Sequence, residues 1–418
     1  MARSDHEEVR RMPDRYWNPE VSADEHDDLG HLREHFDPLS PSLTRGRYTR
    51  VSRAMARECP VAHSDGFGDG VWIVSGYEQL VAVHRDEGTA YSNFPVLLQS
   101  FGQVRPMIPM ESDPPLHRQY KQIIAAPLSR GVQTAREPSY RDLVRRHLRA
   151  FLDDGHAELF EQLCTPVTVH ALMDTLGVPD DDRERLAALA IRLVRGDAED
   201  GTPATEIYEY FGALAEARRA EPGEDIVSLL CTATVDGRPL TDSEILDYCL
   251  ILLPAGFETT ASSMSFMFLM LAEDPDLQRT LRDQPDRIPA ALEEMMRYVT
   301  PTRSHTRTVV ADTTLDGHDL RDGDRVHLNW VGANHDPAVF DRPDELCIDR
   351  SPNRHMSYGY GAHTCVGLHM ARAEMKIAFE EVLAAMDDIR LADPDAVVED
   401  VGTTWAITHL PVTFTRRP

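Results

Sequence analysis

The chain has 418 residues, of which 42% are hydrophobic, so it can bury a sizeable core without disulfides or structural metals. It carries 43 Lys and Arg against 70 Asp and Glu, and the net charge of -27 opposes binding to nucleic acid or to an anionic membrane. No basic stretch followed by an apolar run opens the sequence, so we expect a cytoplasmic protein. The six cysteines form no CxxC pair, which favours neither a disulfide framework nor a zinc ribbon.

Helical patterns dominate the chain after a polar start. Residues 1–30 are rich in charged residues and have few apolar anchors, which predicts a loosely ordered acidic leader. No linker composition follows, so residues 31–418 are predicted to form a single domain. Apolar residues recur at helical spacing over residues 143–176 and again over 183–194. The acidic Gly/Pro loop 196–203 between two helices is a candidate entrance flap.

Strand patterns are shorter and lie towards the two ends of the chain. They cover residues 71–75, 308–315, 325–330 and 406–414. Because strands and helices do not alternate as βαβ units, the sequence predicts a mostly α fold with a small discontinuous β region. The most apolar stretch, residues 245–271, is long enough to span a bilayer, but polar residues such as Asp247 and Glu258 indicate a buried core helix.

A single cysteine lies in a glycine-rich loop, residues 358–367, directly before a helical run over 368–383. Glycines permit positive φ and close backbone approach, so this loop can lie flat beneath a planar ligand. The partial positive charge at the start of the helix favours the thiolate form of Cys365, which ligates metals. The loop alone leaves three interpretations open: haem, zinc bound together with His363 and His369, or a structural turn.

Two further motifs place polar residues inside apolar helices. Glu294 and Arg297 lie three residues apart on one face of an apolar helix, which predicts a buried structural ion pair. The segment 254–260 interrupts the long apolar helix with Pro, Gly, an acid and two alcohols, so we expect a kink or a groove there. A kink without chemistry is one interpretation, and a ligand site at which Glu258 and Thr259 handle protons is the other.

In this order and at these separations, the three motifs resemble those of the cytochrome P450 superfamily. They are GFETT at residues 256–260, ExxR at 294–297 and YGYGAHTCVG at 358–367. The likeness extends from about residue 50 to the C-terminus, and Tyr358 stands where the family usually has Phe. The resemblance implies the cytochrome P450 fold and a haem-thiolate monooxygenase in which Cys365 is the axial ligand of a haem b iron.

The resemblance also implies the residues that surround the haem. In the segment 113–121, His117 and Lys121 are expected to bind the propionates, with Lys121 at a position where Arg is usual. The complete set of haem contacts is Cys365, His117, Lys121, Arg307, His363, Tyr358 and Gly359. The substrate-facing residues by family position are Leu98, Ile251, Ala255, Thr302, Arg303 and Ile407. The polar run 303–305 would suit a substrate with an acid, phenol or amide group, unless Arg303 faces solvent or a propionate instead.

The implied reaction inserts one oxygen atom from O₂ into a small organic substrate. Because the chain has no flavin or iron–sulfur motif, a separate ferredoxin and its NAD(P)H-dependent reductase are expected to supply the electrons. Arg354, His369, Arg372 and Lys376 flank the cysteine loop and predict a basic docking face, with internal ion pairing as the alternative. A peroxide-driven haem-thiolate oxidase and a non-catalytic haem sensor or carrier are the alternative functions.

Overall fold

The computed structural model of the chain describes residues 9–10, 30, 34–40, 43–98, 105–195, 202–400 and 404–418. Helices make up most of these residues. The α-helices are α1 (Arg45–Glu58), α2 (Tyr77–Arg85), α3 (Leu116–Ala125), α4 (Arg130–Ala135), α5 (Glu137–Arg149), α6 (Thr165–Leu176), α7 (Arg183–Arg195), α8 (Thr202–Ala220), α9 (Ile226–Thr232), α10 (Asp242–Glu273), α11 (Pro275–Asp283), α12 (Ile288–Val299), α13 (Trp330–Asn334) and α14 (Leu368–Ala385). A π-helix, Phe160–Cys164, leads directly into α6.

The strands are short and come from distant parts of the chain. They are β1 (Val9–Arg10), β2 (Val61–Ser64), β3 (Val71–Val74), β4 (Tyr91–Ser92), β5 (His156–Glu158), β6 (Thr234–Val235), β7 (Arg238–Pro239), β8 (Ser304–Val309), β9 (Thr313–Leu315), β10 (His318–Leu320), β11 (Arg325–Asn329), β12 (Leu346–Cys347), β13 (Met386–Leu391), β14 (Val398–Asp400), β15 (Ala406–His409) and β16 (Pro411–Arg416). The largest sheet has the order β2-β3-β11-β8-β4, with β3 and β11 parallel and its other pairs antiparallel. The predicted mostly α fold with a small discontinuous β region is confirmed.

Helix α10 runs through the middle of the core. Its start is fixed by a capping box between Thr241 and Glu244, and most of its side chains are buried, as predicted for a core helix. The helix continues without a break through Pro254, where the sequence predicts a kink or a groove. A Cβ at Gly256 would lie 2.6 Å from Cδ1 of Leu172 on α6, so the glycine permits close contact between the two helices. Among the described residues, no helix is both long and apolar enough to cross a membrane.

Three predicted elements are divided in the structure, and the first is the strand predicted over 308–315, which is split between the end of β8 and β9. The helical pattern over 143–176 is interrupted by β5, which pairs with β16 in a three-stranded sheet with β13. The predicted strand 406–414 is split between β15 and β16, which belong to different sheets. Of the predicted leader, only Val9–Arg10 and Gly30 are described, and β1 pairs antiparallel with β12. Most of the candidate flap 196–203 lies outside the described residues, between α7 and α8.

Glu294 and Arg297 form the centre of a fully buried polar cluster at the end of α12. Both side chains are 0% exposed, and the guanidinium donates to both carboxylate oxygens, at 2.8 and 2.9 Å. Arg297 also donates to the carbonyls of Asn334, Pro343 and Glu345, whereas Glu294 accepts from the backbone N–H of Cys347 and from the side chains of Arg350 and Asn353. The bonds that this pair makes with other residues therefore tie α12 to residues 334–353.

The residues just before the cysteine loop are hydrogen-bonded to the same end of α12 and to Asn334. The Ser357 hydroxyl donates to the carbonyl of Met296, and the Asn334 side chain donates to Ser357 and accepts from the Met356 N–H. These bonds fix the start of the loop to the helix that carries the ion pair.

Replacing Glu294 with Gln should destabilise the protein by about 3–5 kcal/mol, because it leaves the buried Arg297 charge without its partner. Urea unfolding would measure this loss. Glu380→Gln is the matched control, since the Glu380–Arg141 pair is partly solvated and is expected to cost less than about 1 kcal/mol. Equal losses for both variants would contradict a special role for the buried pair.

Candidate active site

A cavity of about 290 Å³ lies between the middle of α10 and the loop 358–367. Two of the three motifs, residues 256–260 and 358–367, meet at its wall, whereas the Glu294–Arg297 pair lies outside it and only Met296 of that motif lines the cavity. Of the predicted site residues, the wall contains Cys365, His117, Lys121, Arg307, His363, Tyr358, Gly359, Glu258, Thr259, Ile251, Ala255 and Thr302. Apolar side chains from α6, α10 and the segment before residue 98 contribute much of the remaining surface.

The cysteine loop depends on two glycines in left-handed conformations. Gly359 and Gly361 have φ of +72° and +65°, values that favour glycine over other residues. The Cys365 N–H donates to the Tyr358 carbonyl at 2.7 Å, which closes the loop just before α14 begins. The thiol of Cys365 is exposed to the cavity, so the loop presents sulfur to whatever occupies that space.

The charge state of Cys365 reflects two opposing effects. Burial raises the pKa of its thiol, whereas the backbone N–H groups of Gly367 and Leu368 and the charges of Lys121 and Arg372 act to lower it. Burial is the larger effect, so the start of α14 alone does not produce the thiolate that the sequence suggested. A bound cation would reverse this balance, because a metal ion deprotonates a coordinating thiol outright.

A zinc site does not form around this cysteine. The ring of His363 stacks on that of His117, with 3.7 Å between centroids, and its Nδ1 lies 3.1 Å from Nδ2 of Asn93. Within the ranges that the structure describes, no three His, Cys, Asp or Glu side chains are grouped so that they could hold a metal ion. The zinc interpretation with His363 and His369 is therefore not supported.

The predicted propionate-binding residues gather at one side of the cavity. Lys121 donates from Nζ to the carbonyls of Ala362 and Thr364, at 2.6 and 2.5 Å. Burial lowers the pKa of His117 to about 4 and that of His363 to about 2, so both rings are neutral. His363 Nε2 is buried and has no hydrogen-bond partner among the residues that the structure describes. This combination of a lysine amine and an unpaired polar atom fits an anionic group of a ligand.

The fourth member of that set, Arg307, is held by a residue that the sequence did not single out. Its guanidinium donates from Nε, at 2.9 Å, and from Nη2 to a single oxygen of Glu87. The same oxygen lies 2.8 Å from Nδ1 of His84, and all three side chains are almost completely buried. A glutamate just after a helix gives no local signal of this contact, because its partner lies 220 residues later.

The acid–alcohol pair of α10 lies on the cavity wall. Thr259 donates from its hydroxyl to the carbonyl of Ala255 at 2.8 Å, and Ser263 donates in turn to the Thr259 carbonyl at 2.7 Å. Because the hydroxyl oxygen keeps its acceptor positions, Thr259 can both hold a local bond and receive one from a ligand or a water. Glu258 reaches the same cavity.

Three predicted substrate-facing residues do not line this cavity. Arg303 is buried beneath the rings of Tyr48 and Trp405, 5.0 and 5.9 Å from their centroids, where cation–π attraction accommodates its charge. It lines a separate, much smaller cavity together with Leu98. Ile407 is fully buried on β15, and its N–H donates to the Ser265 hydroxyl. We therefore correct all three assignments.

His305, two residues after Arg303, is on the wall instead. Its ring lies 4.7 Å from that of Trp330, and burial, together with the charge of Arg307, lowers its pKa to about 3. The cavity therefore contains a neutral imidazole, which has one donor and one acceptor nitrogen.

The predicted basic stripe on α14 is largely neutralised by neighbouring helices. Arg372 donates to both carboxylate oxygens of Glu293 on α12, and Lys376 pairs with Glu137 on α5 at 2.9 Å. For these two residues the alternative of internal ion pairing is therefore correct. The spacing of basic residues along one helix does not reveal the acidic residues on the helices that pack against it.

The comparisons with known proteins agree with this site. Residues 207–387 match the family model described as cytochrome P450. The chain is 30% identical to the biotin biosynthesis cytochrome P450 of Bacillus subtilis over 82% of this chain and 90% of that one. It is 31% identical to the steroid C26-monooxygenase of Mycolicibacterium smegmatis over 77% of this chain and 84% of that one. The structure matches that of the Bacillus subtilis bacillaene polyketide synthase cytochrome P450 PksS with a TM-score of 0.82, at 25% identity, over 91% of this chain and all of that one. The chain belongs to the cytochrome P450 family of haem-dependent monooxygenases.

Proposed function

We propose that this enzyme inserts one oxygen atom from O₂ into a small, mainly apolar organic substrate, with haem b ligated by Cys365 and electrons supplied by a ferredoxin and its reductase. The observation that carries the proposal is the position of the Cys365 thiol in the same cavity as Glu258 and Thr259. A soft sulfur ligand and a proton-handling pair in one enclosed space are what reductive oxygen chemistry needs.

The residues present fit a haem. Cys365 would hold the iron, and Lys121, Arg307, His117 and His363 would face the propionates, where His363 Nε2 is buried with no hydrogen-bond partner in the ranges described. When bound, a haem with a thiolate ligand binds dioxygen and favours cleavage of its O–O bond. The protein supplies the protons, the orientation of the substrate and the exclusion of water.

Proton handling would belong to α10. The Thr259 hydroxyl, anchored to the Ala255 carbonyl, would hold a proton or a water at a fixed place on the wall. Glu258 would carry protons to that place, because its carboxylate can accept a proton from solvent and release it inward. A peroxide-driven oxidase would not need this pair, so the presence of the pair favours the O₂-dependent reaction.

The cavity wall points to a neutral, largely apolar substrate. Ile251 and Leu97 belong to one apolar cluster that contributes to the wall, together with Met110 and Leu176. Within the described residues His305 has no hydrogen-bond partner, so its imidazole can bind one hydroxyl or carbonyl group of the substrate. The corrected position of Arg303 removes the reason to expect an acidic substrate.

A direct experiment separates this function from the alternatives. The purified enzyme, a surrogate ferredoxin, its reductase and NADPH are combined with compounds that change the haem spin state. Consumption of O₂ and NADPH with formation of hydroxylated product supports the monooxygenase. Product formed only with added peroxide favours the peroxide-driven oxidase, and no turnover with any spin-shifting compound favours the sensor or carrier.

The proposed ferredoxin site differs from the stripe inferred from sequence. Arg118, Arg130 and Arg354 are exposed, and none of them has a carboxylate oxygen within 4.0 Å among the described residues. Arg130 lies close enough to His369 for its charge to lower the pKa of that ring, so it is near the first turn of α14. We propose that these arginines, with His369, receive an acidic partner on the cysteine side of the haem.

Reversing the charge at Arg130 should slow ferredoxin-driven reduction about tenfold at low ionic strength, with the difference shrinking as salt is added. Stopped-flow reduction under CO would measure the rate. Arg149→Glu makes the same charge change at an exposed position towards the other end of the α5–α14 pair and should leave the rate unchanged. If Arg130→Glu slowed reduction by dithionite equally, the defect would lie in the haem site and the docking proposal would fail.

A further inference from the structure

Glu87 is a buried carboxylate in direct contact with the predicted propionate-binding arginine. It follows α2, and its side chain is only 2% exposed. One oxygen, Oε1, accepts from Nε and Nη2 of Arg307 and lies 2.8 Å from Nδ1 of His84. The other oxygen, Oε2, is buried, has no hydrogen bond within the described part of the chain and lies 3.9 Å from Nε2 of His363. The carboxylate thus lies among the groups that line one side of the cavity.

Glu87 is ionised in this environment. Burial acts to raise its pKa, but the hydrogen bond from His84 and the charge of Arg307 outweigh burial and lower the pKa to about 2. The nearby histidines contribute little charge, since burial lowers the pKa of His84, His117 and His363. The cationic side chains here are therefore Arg307 and Lys121, and Glu87 offsets the charge of Arg307.

Glu87 also occupies much of the hydrogen-bonding capacity of Arg307. A guanidinium has five N–H donors, and here two are given to Glu87 while Nη1 donates to the carbonyl of Thr306 at 2.8 Å. A second carboxylate that approached Arg307 would find only the remaining donors. It would also meet the negative charge of Glu87 at the same guanidinium.

We propose that Glu87 is a positioning residue that fixes Arg307 and offsets its charge, so that the haem propionates are bound more weakly and the iron has a lower reduction potential than Arg307 alone would give. The proposal rests on the proposed role of Arg307 at the propionates. A negative charge close to the haem disfavours the added electron, and a low-dielectric site screens that effect only weakly. Glu87 therefore favours the ferric over the ferrous form of the haem iron.

The test compares holoenzymes of the wild type and Glu87→Gln, which keeps the shape of the side chain and removes its charge. We expect the reduction equilibrium of the iron to shift about tenfold towards the ferrous form, which is 59 mV for a one-electron couple. We also expect haem loss to excess apomyoglobin to slow by a similar factor, because Arg307 becomes free to bind a propionate. Dye-mediated spectroelectrochemical titration measures the potential.

Two controls separate this role from a structural one. Glu111→Gln removes another buried carboxylate, one bonded to the backbone N–H groups of Val96 and Met107, and should leave both quantities unchanged. A folded Glu87→Gln enzyme with unchanged potential, or one that loses haem faster, overturns the proposal. If Glu87→Gln yields no folded enzyme, Glu87→Asp is the second test. Its shorter side chain should bind Arg307 more weakly and so slow haem loss relative to the wild type. Haem loss at the wild-type rate or faster would overturn the proposal. A wild type without a thiolate-type ferrous–CO band would instead refute the proposed function itself.

Discussion

Replacing Cys365 with Ser should abolish the strongly red-shifted Soret band of the ferrous–CO complex, even where haem remains bound. That band depends on an anionic sulfur ligand, and a serine hydroxyl does not supply one. The loop itself should survive, because the Cys365 N–H bond to the Tyr358 carbonyl and the two left-handed glycines do not involve the side chain. A CO difference spectrum of dithionite-reduced protein measures the effect.

Cys59→Ser is the matched control for this prediction. Cys59 is partly exposed and donates from Sγ to the Val61 carbonyl, a bond that serine can also make. The control should keep the full red-shifted band and the wild-type haem content. A normal band in the Cys365→Ser enzyme would overturn the assignment of the axial ligand.

Removing the hydroxyl as Thr259→Ala should leave haem content and substrate binding nearly intact but divert turnover to hydrogen peroxide. The hydroxyl is held by the Ala255 carbonyl at the cavity wall, so its loss removes a placed proton or water rather than a packing contact. Glu258→Gln should slow the whole cycle, because it removes the supply of protons. Loss of a positioned acid–base group costs about 10²-fold to 10⁴-fold in the catalysed step.

The measurement is product formed per NADPH consumed, with peroxide assayed in parallel. Ser262→Ala removes from the same helix a buried hydroxyl that has no hydrogen-bond partner among the described residues, and it should keep the wild-type rate and coupling. If both Thr259→Ala and Glu258→Gln formed as much product per NADPH as the wild type, the two residues would have only a structural role in the helix. The peroxide-driven reaction would then become the better proposal.

Local patterns predicted the elements whose cause is local. The apolar helix expected around Glu294 and Arg297 is α12, because its apolar spacing and its ends are determined by twelve consecutive residues. The pattern over 143–176 failed where β5 pairs with β16, a partner about 250 residues later that periodicity cannot reveal. Non-local pairing is decided by the assembled fold.

The same distinction applies to the site. Glycine spacing and the single cysteine pointed to Cys365, because a turn and its ligand are adjacent in sequence. Glu87 was missed because nothing near it shows that Arg307 will reach it. The family comparison misplaced Arg303, since the rings of Tyr48 and Trp405 that receive its guanidinium come from opposite ends of the chain.

The buried cluster around Glu294 and Arg297 has a consequence for how the enzyme acquires its haem. Its bonds hold residues 334–353 against α12, and Ser357 and Met356 extend that hold to the first residues of the cysteine loop. The conformational entropy of this loop is therefore lost when the protein folds and not when the haem binds. An incoming haem would meet a preorganised loop, in which the position of the Cys365 sulfur would already be set by the protein, and haem insertion would then require little further ordering of the chain.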